Sequence, residues 1–328
     1  MQEHVSKPIF VVGSPRSGTS ILTWCLGQHP NIFPVPESNW MGDFAINVAV
    51  AYQIGTARGN YSILSAMEIR EHELFTTIGY SIKRLILRHR RDLQTKRETS
   101  SFGLKLGLPW LEATSTAAGP KRRWVDGTPE YSFHICGLRK LFPDALFIHI
   151  CRDVRAVVRS MLNFHRVAGI HLVANEQEAY RYWIGNVGAC LMAERAYGPD
   201  VVRRIRYADL IDSPESTMRS LLAFLGEPYI AKCLEPLAQR INSSIVPADF
   251  KVGDAAADLE IVEEATRLSR DLEGIAQPAE ASRAAADEME AWFTQRTQYV
   301  ATLDSQYQRA LQILRELEKV KRPQIPAL

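Results

Sequence analysis

At 328 residues the chain has room for one large or two ordinary domains. Its composition, 46% apolar and 23% charged, excludes a disordered or fibrous protein. Its 39 basic and 37 acidic side chains leave a formal charge of +2, so no global field draws it onto nucleic acid and any basic chemistry is local.

The chain opens with Met1-Gln2-Glu3-His4, which lacks the basic stretch and long apolar run of a signal peptide, and no apolar run approaches the ~18–20 residues of a membrane span. A soluble cytoplasmic protein is expected. Pro8-Ile9-Phe10-Val11-Val12 is β-branched and aromatic without polar alternation, the pattern of a strand covered on both faces in a parallel sheet. Gly13 to Gly18 makes a turn, and Thr19 to Leu26 predicts a helix with Gly27 at its C′ position. From about 42 to 98 the texture is helical. Its basic residues Lys83, Arg84, Arg88, His89, Arg90, Arg91, Lys96 and Arg97 read either as a solvated helix face or as a surface for an acidic substrate.

Arg122 to Val125 predicts a short strand that leads into Asp126-Gly127-Thr128-Pro129, and Ser132 to Leu141 a helix. Ala145 to Cys151 is a second strong buried-strand candidate, with Asp153 as N-cap of a helix from Val154. Val201 to Tyr207 predicts another strand. Ser213, Pro214 and Glu215 then start a helix that ends at Gly226-Glu227-Pro228. The alternation of strands and helices predicts an α/β fold with a parallel sheet and helical crossovers. Past about 255 the composition shifts toward Ala, Glu, Arg and Leu. Val300, Leu303, Tyr307, Ala310, Leu314 and Leu317 recur at steps of three and four, an amphipathic helix that either packs on its own domain or pairs two copies into a homodimer. The expected division is an α/β domain over 1–255 and a helical C-terminal extension over 256–328.

Gly13-Ser14-Pro15-Arg16-Ser17-Gly18-Thr19-Ser20 fits G-x-x-x-x-G-x-S. Amides of such a loop converge on an anion, and the helix behind adds its N-terminal dipole. A nucleoside-triphosphate loop carries Lys where this chain has Thr19; Arg16 supplies a cation inside the loop instead. From Phe142 to Ser160 run a strand, Arg152-Asp153 at its end, and a helix that places Ser160 eight residues after Arg152. The C-terminal ends of parallel strands are where α/β folds bind ligands, and arginine grips phosphate through two parallel hydrogen bonds. Arg206-Tyr207-Ala208-Asp209-Leu210, Ser213-Pro214 and Leu225-Gly226-Glu227-Pro228 form a third stretch.

These stretches resemble the sulfotransferases that use 3′-phosphoadenosine 5′-phosphosulfate (PAPS), over roughly residues 8–40 and 122–230. The resemblance implies a P-loop-like parallel β-sheet flanked by helices, with PAPS as co-substrate, adenosine 3′,5′-bisphosphate as product and no metal. It places Pro15, Arg16, Ser17, Gly18, Thr19 and Ser20 at the 5′-phosphosulfate, Arg152 and Ser160 at the 3′-phosphate, and Tyr207 near the adenosine bisphosphate. A core tyrosine at a strand end is the plainer reading of Tyr207. The resemblance does not extend to the C-terminal helices.

Sulfuryl transfer requires alignment of the two reactants, stabilisation of the leaving phosphate and removal of the acceptor's proton. The resemblance gives Arg16 the leaving group. Glu37 lies 21 residues beyond Arg16, after His29-Pro30, as does the catalytic glutamate of the tyrosylprotein sulfotransferases. The resemblance thus makes it the general base; the alternative is a surface loop carboxylate. Of the rival bases His29, His134 and His149, the last sits in an apolar strand and reads as core, and His29 as turn chemistry. Relatives carry a Lys before Thr-Pro where this chain has Gly127, so Arg16 acts without it, Lys105 replaces it, or activity is impaired. The acceptor is a small molecule, glycan or peptide with a hydroxyl or amine, and the segment 42–120 is expected on its side of the cleft.

No His, Cys or carboxylate cluster has ligand spacing. The five cysteines (25, 136, 151, 190, 233) stand apart without a CxxC pair, as buried thiols in a reducing compartment do. Two other functions remain open: a small-molecule kinase with an atypical phosphate loop, and a catalytically impaired nucleotide-binding protein.

Overall fold

The computed structural model describes residues 7–99, 122–238 and 258–321. Strands β1 (Ile9–Val12), β2 (Ile32–Pro34), β3 (Arg123–Asp126), β4 (Leu146–Cys151) and β5 (Val202–Arg206) form one parallel sheet in the order β2-β3-β1-β4-β5. Every residue of β1, β3 and β4 is buried: β1 is wholly apolar, whereas β3 and β4 also bury Arg123, Asp126 and His149. β2 has no counterpart among the predicted strands. It is three residues long and ends in Pro34, which a sheet tolerates because β2 is an edge strand.

Among the described residues, the α-helices longer than one turn are α1 (Thr19–Gly27), α2 (Met41–Thr56), α3 (Glu71–Thr99), α4 (Ile135–Leu141), α5 (Val154–Leu162), α6 (Glu176–Tyr197), α7 (Tyr207–Asp212), α8 (Pro214–Leu225), α9 (Leu259–Gly274) and α10 (Arg283–Lys321). Successive residues of β1 feed opposite cores. Phe10 and Val12 join Trp124, Phe142 and Phe147 under α2, α4 and α6, while Ile9 and Val11 pack with Ile148 and Ile150 against α1 and α8. The Phe10 ring stacks on Phe147 at 5.2 Å and meets Trp124 edge-on at 5.3 Å. A third cluster joins α5, α6 and α9 through Val157, Trp183, Ala265 and Leu272.

Several local expectations change. Gly27 lies inside α1 and is not a left-handed cap; a Cβ there would meet Pro34 of β2 at 2.6 Å. The segment Ser132 to Leu141 divides into a 3-10 turn, Pro129–His134, and α4. Tyr207 opens α7 and does not end β5. Ser213 precedes α8 without a side-chain cap. α6, absent from the predicted elements, buries Ala179, Trp183, Asn186, Cys190 and Glu194 along one face, and the polar Asn186 and Glu194 within that face interrupt the apolar stripe that marks an amphipathic helix.

Lys83 is buried and bound to Asp144 at 2.8 Å, which pins α3 beside the N-terminal end of β4. Arg84 covers the Tyr80 ring. The side chains of Arg91, Lys96 and Arg97, and all of 100–121 with Lys105, lie outside the described residues. All five cysteines are free and buried. In α10, Ala285, Met289 and Thr297 are buried, so this half packs on the domain, whereas Leu303, Tyr307 and Leu314 of the apolar repeat are exposed. Among the described residues, no helix is long and apolar enough to cross a membrane.

Candidate active site

β1 and β4 are hydrogen-bonded neighbours, so the segments that leave their C-terminal ends emerge side by side. One is the glycine loop. Gly13 has φ 145°, and a Cβ on it would lie 2.4 Å from the Ile150 carbonyl oxygen of β4. Its amide donates to Ser132 Oγ at 3.0 Å, and Ser132 donates to the Pro129 carbonyl at 2.7 Å. Arg16 takes φ 72° and Gly18 φ 109°, a tight turn closed by the Ser17 amide on the Ser14 carbonyl at 3.0 Å. The first turn of α1 receives no side-chain cap, and Ser17 Oγ is buried without a hydrogen-bond partner. Pro15, Ser17 and Thr19 are buried, while Arg16, Gly18 and Ser20 reach the surface. Uncapped helical amides and an orphaned hydroxyl are features that an anion satisfies.

The other segment begins at Arg152. Its Nη1 donates to the Arg16 carbonyl at 3.1 Å, and its guanidinium lies 4.5 Å from the centre of the Tyr207 ring. The same ring edges onto the loop, since a Cβ on Gly18 would meet Tyr207 Cδ2 at 2.6 Å. Arg16 Nε donates to Ser160 Oγ at 3.0 Å, and its guanidinium lies over Phe164 at 4.9 Å. Asp153 caps α5 as predicted, accepting from the Ala156 amide at 2.9 Å. Loop, Arg152, Ser160 and Tyr207 thus form one continuous surface. Burial, then the neighbouring Arg152, lowers the proton affinity of Arg16, against the pull of Glu37.

Glu37 follows β2 and is exposed, and Ser20 Oγ at the start of α1 donates to its Oε1 at 3.3 Å. The protein around its carboxylate, then Glu130 and Asp126, push its pKa up to about 7, against the Ser20 hydrogen bond and Arg16. Its loop is fastened to the end of β3. The Ser38 amide donates to Thr128 Oγ1 at 2.9 Å, and Ser38 Oγ donates to Asp126 at 2.7 Å. Asp126 also accepts from the Thr128 amide at 3.0 Å and hydroxyl at 2.6 Å. Fully buried, it is pushed up to about 6 by desolvation, which these hydrogen bonds oppose. Tyr131 joins Ser38 Oγ at 2.5 Å and accepts from the Met41 amide at 3.1 Å. Glu130 is held by the Tyr182 hydroxyl at 3.1 Å.

Sequence reasoning did not reach Ser38, Thr128, Glu130, Tyr131 or Tyr182, whose partners lie far along the chain. The one local signal was an Asp ending a strand ahead of Thr-Pro. His29 bridges a turn, accepting from the Asn31 amide at 3.2 Å and lying 3.1 Å from the Pro228 carbonyl, and His149 is buried 2.6 Å from Glu194. His134 is half-buried beside Asp43 at 3.9 Å, and burial pulls its pKa down to about 4. At Gly127, a Cβ would lie 2.1 Å from Thr23 Oγ1 of α1, so α1 fills the space a longer side chain needs.

A model of the sulfotransferase family matches residues 8–231. The chain belongs to this family. It is 25% identical over 237 residues to an uncharacterized protein of Aquifex aeolicus, covering 71% of this chain and 27% of that one. It is 23% identical over 223 residues to protein-tyrosine sulfotransferase 1 of Danio rerio, covering 67% and 53%. These matches span about a quarter and about half of the relatives' lengths. The structure is also similar to sulfotransferase STF9 from Mycobacterium avium, with a TM-score of 0.43 and 18% identity over 85% of this chain and 79% of that one. The family match ends before α9 and α10.

Proposed function

We propose that this sulfotransferase-family chain transfers the sulfuryl group of PAPS to a hydroxyl or amine acceptor, with Glu37 as general base. The observation that carries the reading is that Arg152 bonds to the Arg16 carbonyl and Arg16 to Ser160 where two adjacent strands end, beside a loop that holds an unpartnered hydroxyl and an uncapped helix end. Ser17, the first amides of α1 and Arg16 suit the 5′-phosphosulfate, and Arg152 with Ser160 suits the 3′-phosphate. PAPS supplies an activated sulfuryl group with a phosphate leaving group. Arg16 would stabilise charge on that phosphate, and Glu37, ionised, would take the acceptor's proton. A small molecule, a glycan or a peptide meets this requirement; the name of the Danio rerio relative points to a tyrosine hydroxyl.

A second reading, a coenzyme-binding protein without turnover, draws on Gly127, whose surroundings leave no room for the family's lysine. Transfer of labelled sulfate from PAPS into a metabolite extract, with Glu37→Gln as control, separates the two. Stabilisation by adenosine 3′,5′-bisphosphate but not by ATP excludes the kinase alternative.

A further inference from the structure

We infer that α9, which lies beyond the family match, forms the wall that recognises the coenzyme's base, with Glu273 accepting a hydrogen bond from the adenine 6-amino group. The inference rests on the PAPS reading above. A cavity of about 270 Å³ opens beside Arg152 at the C-terminal ends of β4 and β5. Ala156 and Tyr207 line one side, and Ser269, Leu272 and Glu273 of α9 the other. α9 is fixed in place there. Ser269 Oγ accepts the first amide of α5, that of Val154, at 3.2 Å, while Ala265 and Leu272 are buried with Val157 and Trp183.

The lining mixes apolar surface from Ala156, Ala208 and Leu272 with charged groups, and its second carboxylate, Asp153, is engaged as the cap of α5 at 2.9 Å. Arg206 on its rim is already engaged by Asp209 at 2.8 and 2.6 Å. Both phosphates of the coenzyme are drawn to Arg16 and Arg152, and a carboxylate repels them. The part of the molecule that tolerates Glu273 is therefore the end remote from both phosphates, the purine. Its one hydrogen-bond donor is the exocyclic amine, and an ionised carboxylate only accepts.

Isothermal titration of the full chain and of Glu273→Ala, each with adenosine 3′,5′-bisphosphate and with the purine riboside bisphosphate that lacks the amine, tests this. Glu273 is exposed, so its truncation leaves the core intact, which a melting curve checks. The wild type is expected to prefer the adenosine ligand by about tenfold, the worth of one charge-assisted hydrogen bond. Glu273→Ala is expected to bind both ligands equally, at the wild-type affinity for the purine riboside. A variant that keeps the preference, or a wild type that binds both ligands alike, overturns the role of α9 and leaves the PAPS reading standing. A wild type that binds neither overturns both.

Discussion

Glu37 concentrates the chemistry in one carboxylate. It stands beside Glu130 and Asp126, with Arg16 as the opposing charge, and its pKa of about 7 puts it half-ionised near neutrality. A general base works only when deprotonated. Turnover in labelled-sulfate assays is therefore expected to rise as pH passes upward through about 7 and to fade below it. Glu130→Gln removes a like charge, so the acidic limb of that profile should move to lower pH. Glu37→Gln should abolish turnover and leave affinity for adenosine 3′,5′-bisphosphate nearly unchanged; retained turnover would remove Glu37 from the mechanism. Arg16, the opposing charge, is oriented by Ser160 and Phe164.

At the scale of elements, two contacts decide whether the residues meet. The web of Ser38, Asp126, Thr128 and Tyr131 ties the loop after β2 to the end of β3. Asp126→Ala leaves the buried Thr128 amide without its acceptor and is expected to cost about 2 kcal/mol in urea denaturation. It should also lower kcat more than coenzyme affinity, because the freed loop carries Glu37. The contact of Gly127 with α1 makes the reverse experiment informative. Gly127→Lys restores the family residue, but its Cβ meets Thr23 Oγ1 at 2.1 Å, so the variant should melt earlier than the wild type and show no gain in turnover. A gain would mean that α1 yields and that the missing lysine had limited the chain.

For the whole molecule the question is how the helices past 258 relate to the sheet. α9 is buried against α5 and α6, and the first half of α10 adds Ala285 and Met289 to the core beneath the sheet. A chain ending at residue 257 would expose both surfaces and is expected to lose its cooperative thermal transition, as followed by circular dichroism. A sharp transition would establish the α/β part as an independent unit.

The sequence by itself determined what depends on neighbours within about ten positions. Runs dominated by apolar residues specify β1 and β4, Gly13 and Gly18 the turn, and Asp153 the start of α5, because propensity, capping and backbone freedom act locally. Arg16, Arg152 and Ser160 were singled out by their resemblance to the sulfotransferase motifs, which place them in short stretches beside a strand end. Tertiary structure decided the rest. β2 exists only because β3 offers it an edge. Glu37 and Glu130 come together across 93 residues of sequence because Pro34 and Val125 share a register and Ser38 binds Thr128. The surfaces of α9 and α10 likewise acquire partners only on folding. Long-range pairing depends on which surfaces face one another, and no local pattern in the chain encodes that.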